Sequence, residues 1–185
     1  MSTIPPPAAT RILRGEDGPL VWIDCEMTGL DPNKDRLLEV ACIITDGQLK
    51  PVDEGVSYVI QTDPAVLADM DEWYVWVHLQ QITTHTETGL MSECTDTARA
   101  HSHSDVRTAV LAYVLDRIPD AKTACLAGST VHADKAFLQN EMPELIEHLH
   151  YRIVDVSTIK ELVRRWYSST AVPPKRAGIA HRCVT

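Results

Sequence analysis

Leu20-Val-Trp-Ile-Asp24-Cys-Glu26-Met-Thr-Gly-Leu-Asp31 is the stretch whose reading decides the fold. Side chains alternate across a strand, so Asp24 and Glu26 project from one face while Ile23, Cys25 and Met27 project from the other. Same-face neighbours lie about 7 Å apart, within reach of cations held roughly 4 Å from each other. Two acids on one buried strand cost stability unless a cation compensates them. A strand end on which both acids are solvated is the alternative reading of the pair.

Working outward, two more strands are expected at residues 37–45 (LLEVACIIT) and 55–61 (GVSYVIQ), bounded by turn signals at Asp31-Pro-Asn33 and Asp46-Gly47. Short connections favour antiparallel pairing. Ser104 is placed to cap a helix over residues 105–118, where Val106, Val110, Val114 and Leu111, Leu115, Ile118 recur at helical spacing. Residues 124–128 (ACLAG) read as a short buried strand, and a helix follows over about 134–140. A strand near 151–156 leads to Ser157, a candidate cap for a helix over 158–166. Strands first, then alternating helix and strand, define an α/β domain with a mixed sheet.

The chain of 185 residues suits one domain over residues 20–185, preceded by a tail over 1–19. That tail carries three consecutive prolines, Arg11 and Arg14, and reads as disordered, with a mitochondrial signal as the alternative. No apolar run approaches the length of a membrane span. A net charge of −9 argues against tight binding to long duplex nucleic acid, which needs many Lys and Arg contacts, but not against a short strand held at cations. Five cysteines show no Cys-x-x-Cys spacing, and the three in apolar strand-like runs read as core residues, which implies a reducing compartment, cytoplasmic or, as the alternative, mitochondrial.

Asp134 follows the strand ACLAG after a short connection and opens a helix. Ligands gather at such strand ends, so Asp134 is either a third site acid or a helix cap. His181 is a candidate general base, titrating near neutrality, or an ordinary surface histidine. The pairs His101-Ser-His103 and His148-Leu-His150 lack helical metal-ligand spacing and read as loop residues.

The runs WIDCEMTGLD, HTETGL, LAGSTVHADKAFL, MPEL and HYRIVDVSTIKEL resemble those of oligoribonucleases, 3′-to-5′ exonucleases whose site is four acids and a histidine. The resemblance implies a ribonuclease H-like exonuclease fold. It makes Asp24, Glu26 and Asp134 ligands of two divalent cations, Mg²⁺ or Mn²⁺, and His181 the base that deprotonates water. Carboxylate oxygens suit those ions, whereas zinc prefers Cys and His. It also implies that Leu30 wedges between two bases, that Trp73 and His85 hold the 3′ nucleotide, and that Thr130, Arg152, Ser157 and Lys160 surround the 5′ phosphate. Tyr151 would reach the substrate from the partner subunit of a homodimer. A site closed at both ends prefers short RNA oligonucleotides and releases nucleoside 5′-monophosphates.

The chain departs from the family in two places. The pattern His-x-x-x-x-Asp places a fourth acid, within a final helix, beyond Thr185, so the resemblance leaves this sequence with three acids and an expected weakening of activity. An insertion, within YVWVHLQQITT, separates Trp73 from His85 and could form a further strand or an apolar loop. A splice product or an imperfect gene model would account for both. A non-catalytic oligonucleotide-binding protein, or a dimer partner of the full-length enzyme, is the alternative function.

Overall fold

Alternation in the first two apolar runs produces the centre of a five-stranded sheet. The computed structural model describes residues 4–68, 70 and 89–167. Strands β1 (Leu20–Met27), β2 (Leu37–Thr45), β3 (Val56–Val59), β4 (Cys125–Gly128) and β5 (His150–Asp155) lie in the order β3-β2-β1-β4-β5. β2 pairs antiparallel with β1 and β3, while β4 runs parallel to both β1 and β5, so the sheet is mixed as the sequence implies. The helices are α1 (Pro64–Ala68), α2 (Leu90–Thr95), α3 (His103–Arg117), α4 (His132–Glu141), α5 (Pro143–His148) and α6 (Val156–Trp166).

Odd-numbered residues of β1 and even-numbered residues of β2 face the main core. Val21, Ile23 and Cys25 pack with Val40, Cys42 and Ile44 beneath Val106, Val110, Tyr113 and Val114 of α3 and Phe137 and Leu138 of α4. The opposite face carries Trp22, Asp24, Ala41 and Ile43, which line a groove of about 300 Å³ together with Gly128, Ser129 and Val156. One strand thus supplies an apolar layer and an acidic one. Cys25, Cys42 and Cys94 are buried free thiols and Cys125 is half-buried, matching the reading of cysteine as a core residue.

The helix boundaries differ from expectation for identifiable reasons. α3 starts two residues early because Ser102, not Ser104, is its cap: Ser102 Oγ accepts from the Asp105 amide (3.1 Å) and donates to Asp105 Oδ2 (2.8 Å). α6 is capped by Asp155 rather than Ser157. α5 was not anticipated, although Pro143 in its first turn is a recognised start signal.

Residues 4–19 lie against the domain, so the tail read from composition does not describe them. Leu13 is fully buried and its amide donates to the Arg117 carbonyl (2.7 Å), while Arg14 Nη1 donates to both carboxylate oxygens of Asp120 (2.9 Å). Trp73, His85, the insertion between them and His181 lie outside the described residues. Among the described residues no helix is long and apolar enough to cross a membrane.

Candidate active site

Three parallel strands, β1, β4 and β5, direct their carboxyl ends to one edge of the molecule, the place where sheet proteins of this kind gather ligands. Asp24 and Glu26 arrive there on β1, the β4–α4 connection brings Thr130, the first turn of α4 brings Asp134, β5 brings Asp155 and the start of α6 brings Ser157. A Cβ on Gly128 would stand 2.8 Å from the Ile23 carbonyl oxygen, so glycine lets β4 end against β1 just before Asp24.

The two strand acids do not share one environment. Asp24 is exposed, whereas Glu26 is 9% exposed and lies opposite Glu39 in the β1–β2 register. Glu39 is itself buried and accepts a hydrogen bond from Ser57 Oγ (2.9 Å). An acid in the middle of the apolar run LLEVACIIT was the signal that could have marked it, because a buried carboxylate requires partners.

Asp134 is not a helix cap. It lies inside the first turn of α4, is 6% exposed, and its Oδ1 accepts the Cys25 amide hydrogen (3.0 Å). The parallel β1–β4 ladder ends at Trp22, so Asp134 takes an amide that β4 does not reach. Desolvation, followed by the charge of Asp24, pushes its carboxyl up to about 6 against the opposing pull of the Cys25 amide. The structure therefore brings Asp24 and Asp134 into electrostatic contact.

The donor set fits hard divalent cations in chemistry: carboxylate oxygens, one of them under charge stress that a cation would relieve. Among the described residues, however, no three acidic, histidine or cysteine side chains converge closely enough to enclose a metal ion. The fit lies in charge and donor type.

Asp155, which the sequence reading passed over, ties two of the expected phosphate-binding residues together. Its Oδ1 accepts from the Thr130 amide (2.9 Å), the Ser157 amide (2.9 Å) and the Ser157 hydroxyl (2.6 Å), and its Oδ2 faces His132 Nδ1 at 3.4 Å. Desolvation pushes this carboxyl upward, but the Ser157 and Thr130 hydrogen bonds prevail and hold it below the usual range. Thr130 adopts a left-handed backbone (φ +62°), a conformation that needs such support outside glycine. Asp155→Ser retains a helix-capping residue yet is too short to reach Thr130. We expect it to cost about 1–2 kcal/mol in urea unfolding, against a few tenths for Asp155→Asn.

Lys160 follows Ser157 on the same face of α6. Tyr151 and Arg152 stand apart, about 10 Å along β5 from Asp155. Tyr151 is 73% exposed, with the Arg152 guanidinium 5.4 Å from its ring centroid. Leu30 is 53% exposed at the β1–β2 connection. A larger cleft of about 940 Å³ includes none of these acids, and its His103 and Arg107 are engaged by Glu141 (2.9 Å) and Glu144. The groove lined by Asp24 and this larger cleft share no lining residue.

Comparison with known proteins gives the class. Residues 21–182 match the RNase T exonuclease family. The chain is 50% identical over 148 residues to a probable oligoribonuclease of Schizosaccharomyces pombe, covering 80% of this chain and 55% of that one. It is 40% identical over 165 residues to an oligoribonuclease of Rhodococcus jostii, covering 89% and 78%. Among solved structures, exonuclease I of Methylocaldum szegediense aligns over 90% of this chain and 37% of its own, with a TM-score of 0.55 and 16% identity, a likeness of fold. The chain belongs to the oligoribonuclease family of exonucleases. It spans 55% of the length of the fission-yeast relative.

Proposed function

We propose that this protein hydrolyses very short single-stranded RNA from the 3′ end, down to dinucleotides, and releases nucleoside 5′-monophosphates. The observation that carries this reading is the buried Asp134 carboxylate, held on the Cys25 amide and pressed by the charge of Asp24 beside the ends of the parallel strands. Asp24, Glu26 and Asp134 would hold two divalent cations, Mg²⁺ or Mn²⁺. Those ions, when bound, supply charge stabilisation and a more acidic water. His181 takes the proton of the attacking water. The water oxygen bonds to phosphorus while the bond from phosphorus to the 3′ oxygen of the preceding nucleotide breaks, and that oxygen leaves with a proton from solvent.

Leu30 separates the two bases, and Trp73 and His85 hold the 3′ nucleotide. Thr130, Ser157 and Lys160 bind the 5′ phosphate, joined by Arg152 and, from a second copy of the chain, by Tyr151. The exposure of Tyr151, Ile159 and Trp166 supports such a homodimer. The second reading is metal-assisted binding of short RNA without hydrolysis.

A 5′-phosphorylated diribonucleotide incubated with the full chain and Mn²⁺ separates these outcomes. Release of nucleoside 5′-monophosphate, abolished by chelation, supports the enzyme. Saturable binding with no product supports the second reading, and neither binding nor cleavage defeats both.

A further inference from the structure

Leu30 combines two properties that seldom occur together: a large apolar side chain more than half exposed, and a backbone fixed on both sides. The fixing group is the Asp35 carboxylate, which fills the interior of the β1–β2 connection. Asp35 Oδ1 accepts from Thr28 Oγ1 (3.0 Å) and Oδ2 accepts from the Asp31 amide (2.9 Å). One carboxylate thus grips the chain two residues before Leu30 and one residue after it.

The grip is close-packed as well as hydrogen-bonded. A Cβ on Gly29 would fall 2.2 Å from Asp35 Oδ2 and 2.4 Å from Oδ1, so the carboxylate lies directly on the Gly29 backbone. Thr28 in turn accepts from the Arg36 amide through Oγ1 (3.0 Å) and donates its own amide to the Arg36 carbonyl (2.9 Å), closing the neck of the connection. Asn140 Nδ2 donates to the Pro32 carbonyl (2.8 Å), which fastens the tip to α4, the helix that carries Asp134. With its inner space taken by a carboxylate, the connection has nowhere to bury Leu30. An exposed leucine held this firmly loses little conformational freedom when an apolar face meets it.

We propose that Asp35 is a positioning residue that holds Leu30 outward as a rigid wedge for the two bases of a short substrate. The inference rests on the reading of Leu30 as the base-separating residue. Asp35 does not touch the substrate and acts only through Leu30, which gives it a distinctive signature. Its loss should weaken ligands with two bases, spare ligands with one, and add nothing once Leu30 is gone.

The test is a double-mutant cycle on the full chain, with affinities for a fluorescent 5′-phosphorylated diribonucleotide and for a nucleoside 5′-monophosphate measured in Ca²⁺. Asp35→Asn removes the charge and, whichever way its amide turns, deprives either the Thr28 hydroxyl or the Asp31 amide of its acceptor, and should weaken dinucleotide binding about tenfold, with mononucleotide binding changed less than about twofold. Leu30→Ala should do the same, and the double variant should bind no worse than Leu30→Ala alone. Gly29→Ala displaces the carboxylate while keeping its charge and should reproduce Asp35→Asn, which preserves the test if Asp35→Asn does not fold. Multiplicative losses in the double variant, or equal weakening of both ligands, overturn the role of Asp35 while leaving the wedge standing. Unchanged dinucleotide affinity in Leu30→Ala overturns the wedge reading and the inference with it.

Discussion

Asp134→Asn is expected to stabilise the metal-free protein above pH 6 while lowering exonuclease activity more than a hundredfold. The stability gain follows from the raised carboxyl. In an unfolded chain Asp134 titrates near 3.8, and in the folded protein burial and Asp24 push it up to about 6. Between those values the folded state binds more protons than the unfolded state, so stability falls as pH rises and the full cost is present above pH 6. Two pH units correspond to about 3 kcal/mol at most. Asn keeps an acceptor for the Cys25 amide and carries no charge, so it removes the cost without losing the hydrogen bond.

The activity loss has the opposite origin, because the same charge is what a divalent cation would use. Even residues that only support metal ligands are typically worth about 10- to 100-fold, and Asp134 is a proposed ligand itself. Chemical denaturation from pH 4 to 8 should show a declining curve for the parent and a flatter one for the variant. Added Mn²⁺ should raise the parent's midpoint and leave the variant's nearly unchanged. A parent curve that does not decline between pH 4 and 6 would remove the argument from charge stress.

Much of this was legible in the sequence because the relevant signals are local. Alternation in LVWIDCEM fixes the faces of that strand from short-range geometry alone, the near-continuous apolar run LLEVACIIT marks a strand buried on both faces, and the mixed sheet follows from the order of elements. What escaped was decided by contacts between distant segments. Asp155 displaced Ser157 as the cap of α6 because its carboxylate also reaches Thr130, 25 residues away in sequence. Ser102 and Ser104 are equally plausible caps locally, and only the Ser102–Asp105 pair closes. The pairing of Glu26 with Glu39 is a matter of strand register, which neither strand contains by itself. Asp35 was hidden in a run of polar turn residues where nothing distinguishes a solvated acid from one that fills the loop.

Asp53→Ala should destabilise the protein by about 3–5 kcal/mol, the largest loss expected from any single charge removal in the described region. Arg117 is fully buried on α3, and its Nε donates to Asp53 Oδ2 at 2.6 Å. Its remaining nitrogens donate to the Tyr113 carbonyl (3.1 Å) and the Pro7 carbonyl (2.9 Å), and its guanidinium carbon lies 3.8 Å from the Tyr113 ring centroid. Asp53 also accepts from the Tyr113 hydroxyl (2.7 Å) and the Gly55 amide (3.0 Å). Desolvation pushes the Asp53 carboxyl up, but Tyr113, Gly55 and Arg117 together hold it below its ordinary value of 3.8. Its contribution is therefore complete above pH 3.8 and is lost as pH falls through the lower folded value, so acid should unfold the parent through this group and leave Asp53→Ala less acid-sensitive. Removing the anion alone strands a desolvated cation, whereas removing both charges with apolar replacements, as in Asp53→Leu with Arg117→Met, should recover most of the loss. The cluster joins the β2–β3 connection, α3 and the amino-terminal segment at the end of the sheet away from Asp24 and Glu26. Dinucleotide affinity measured well below the unfolding transition should consequently be unchanged in Asp53→Ala, which separates a structural ion pair from the charges proposed to do the chemistry.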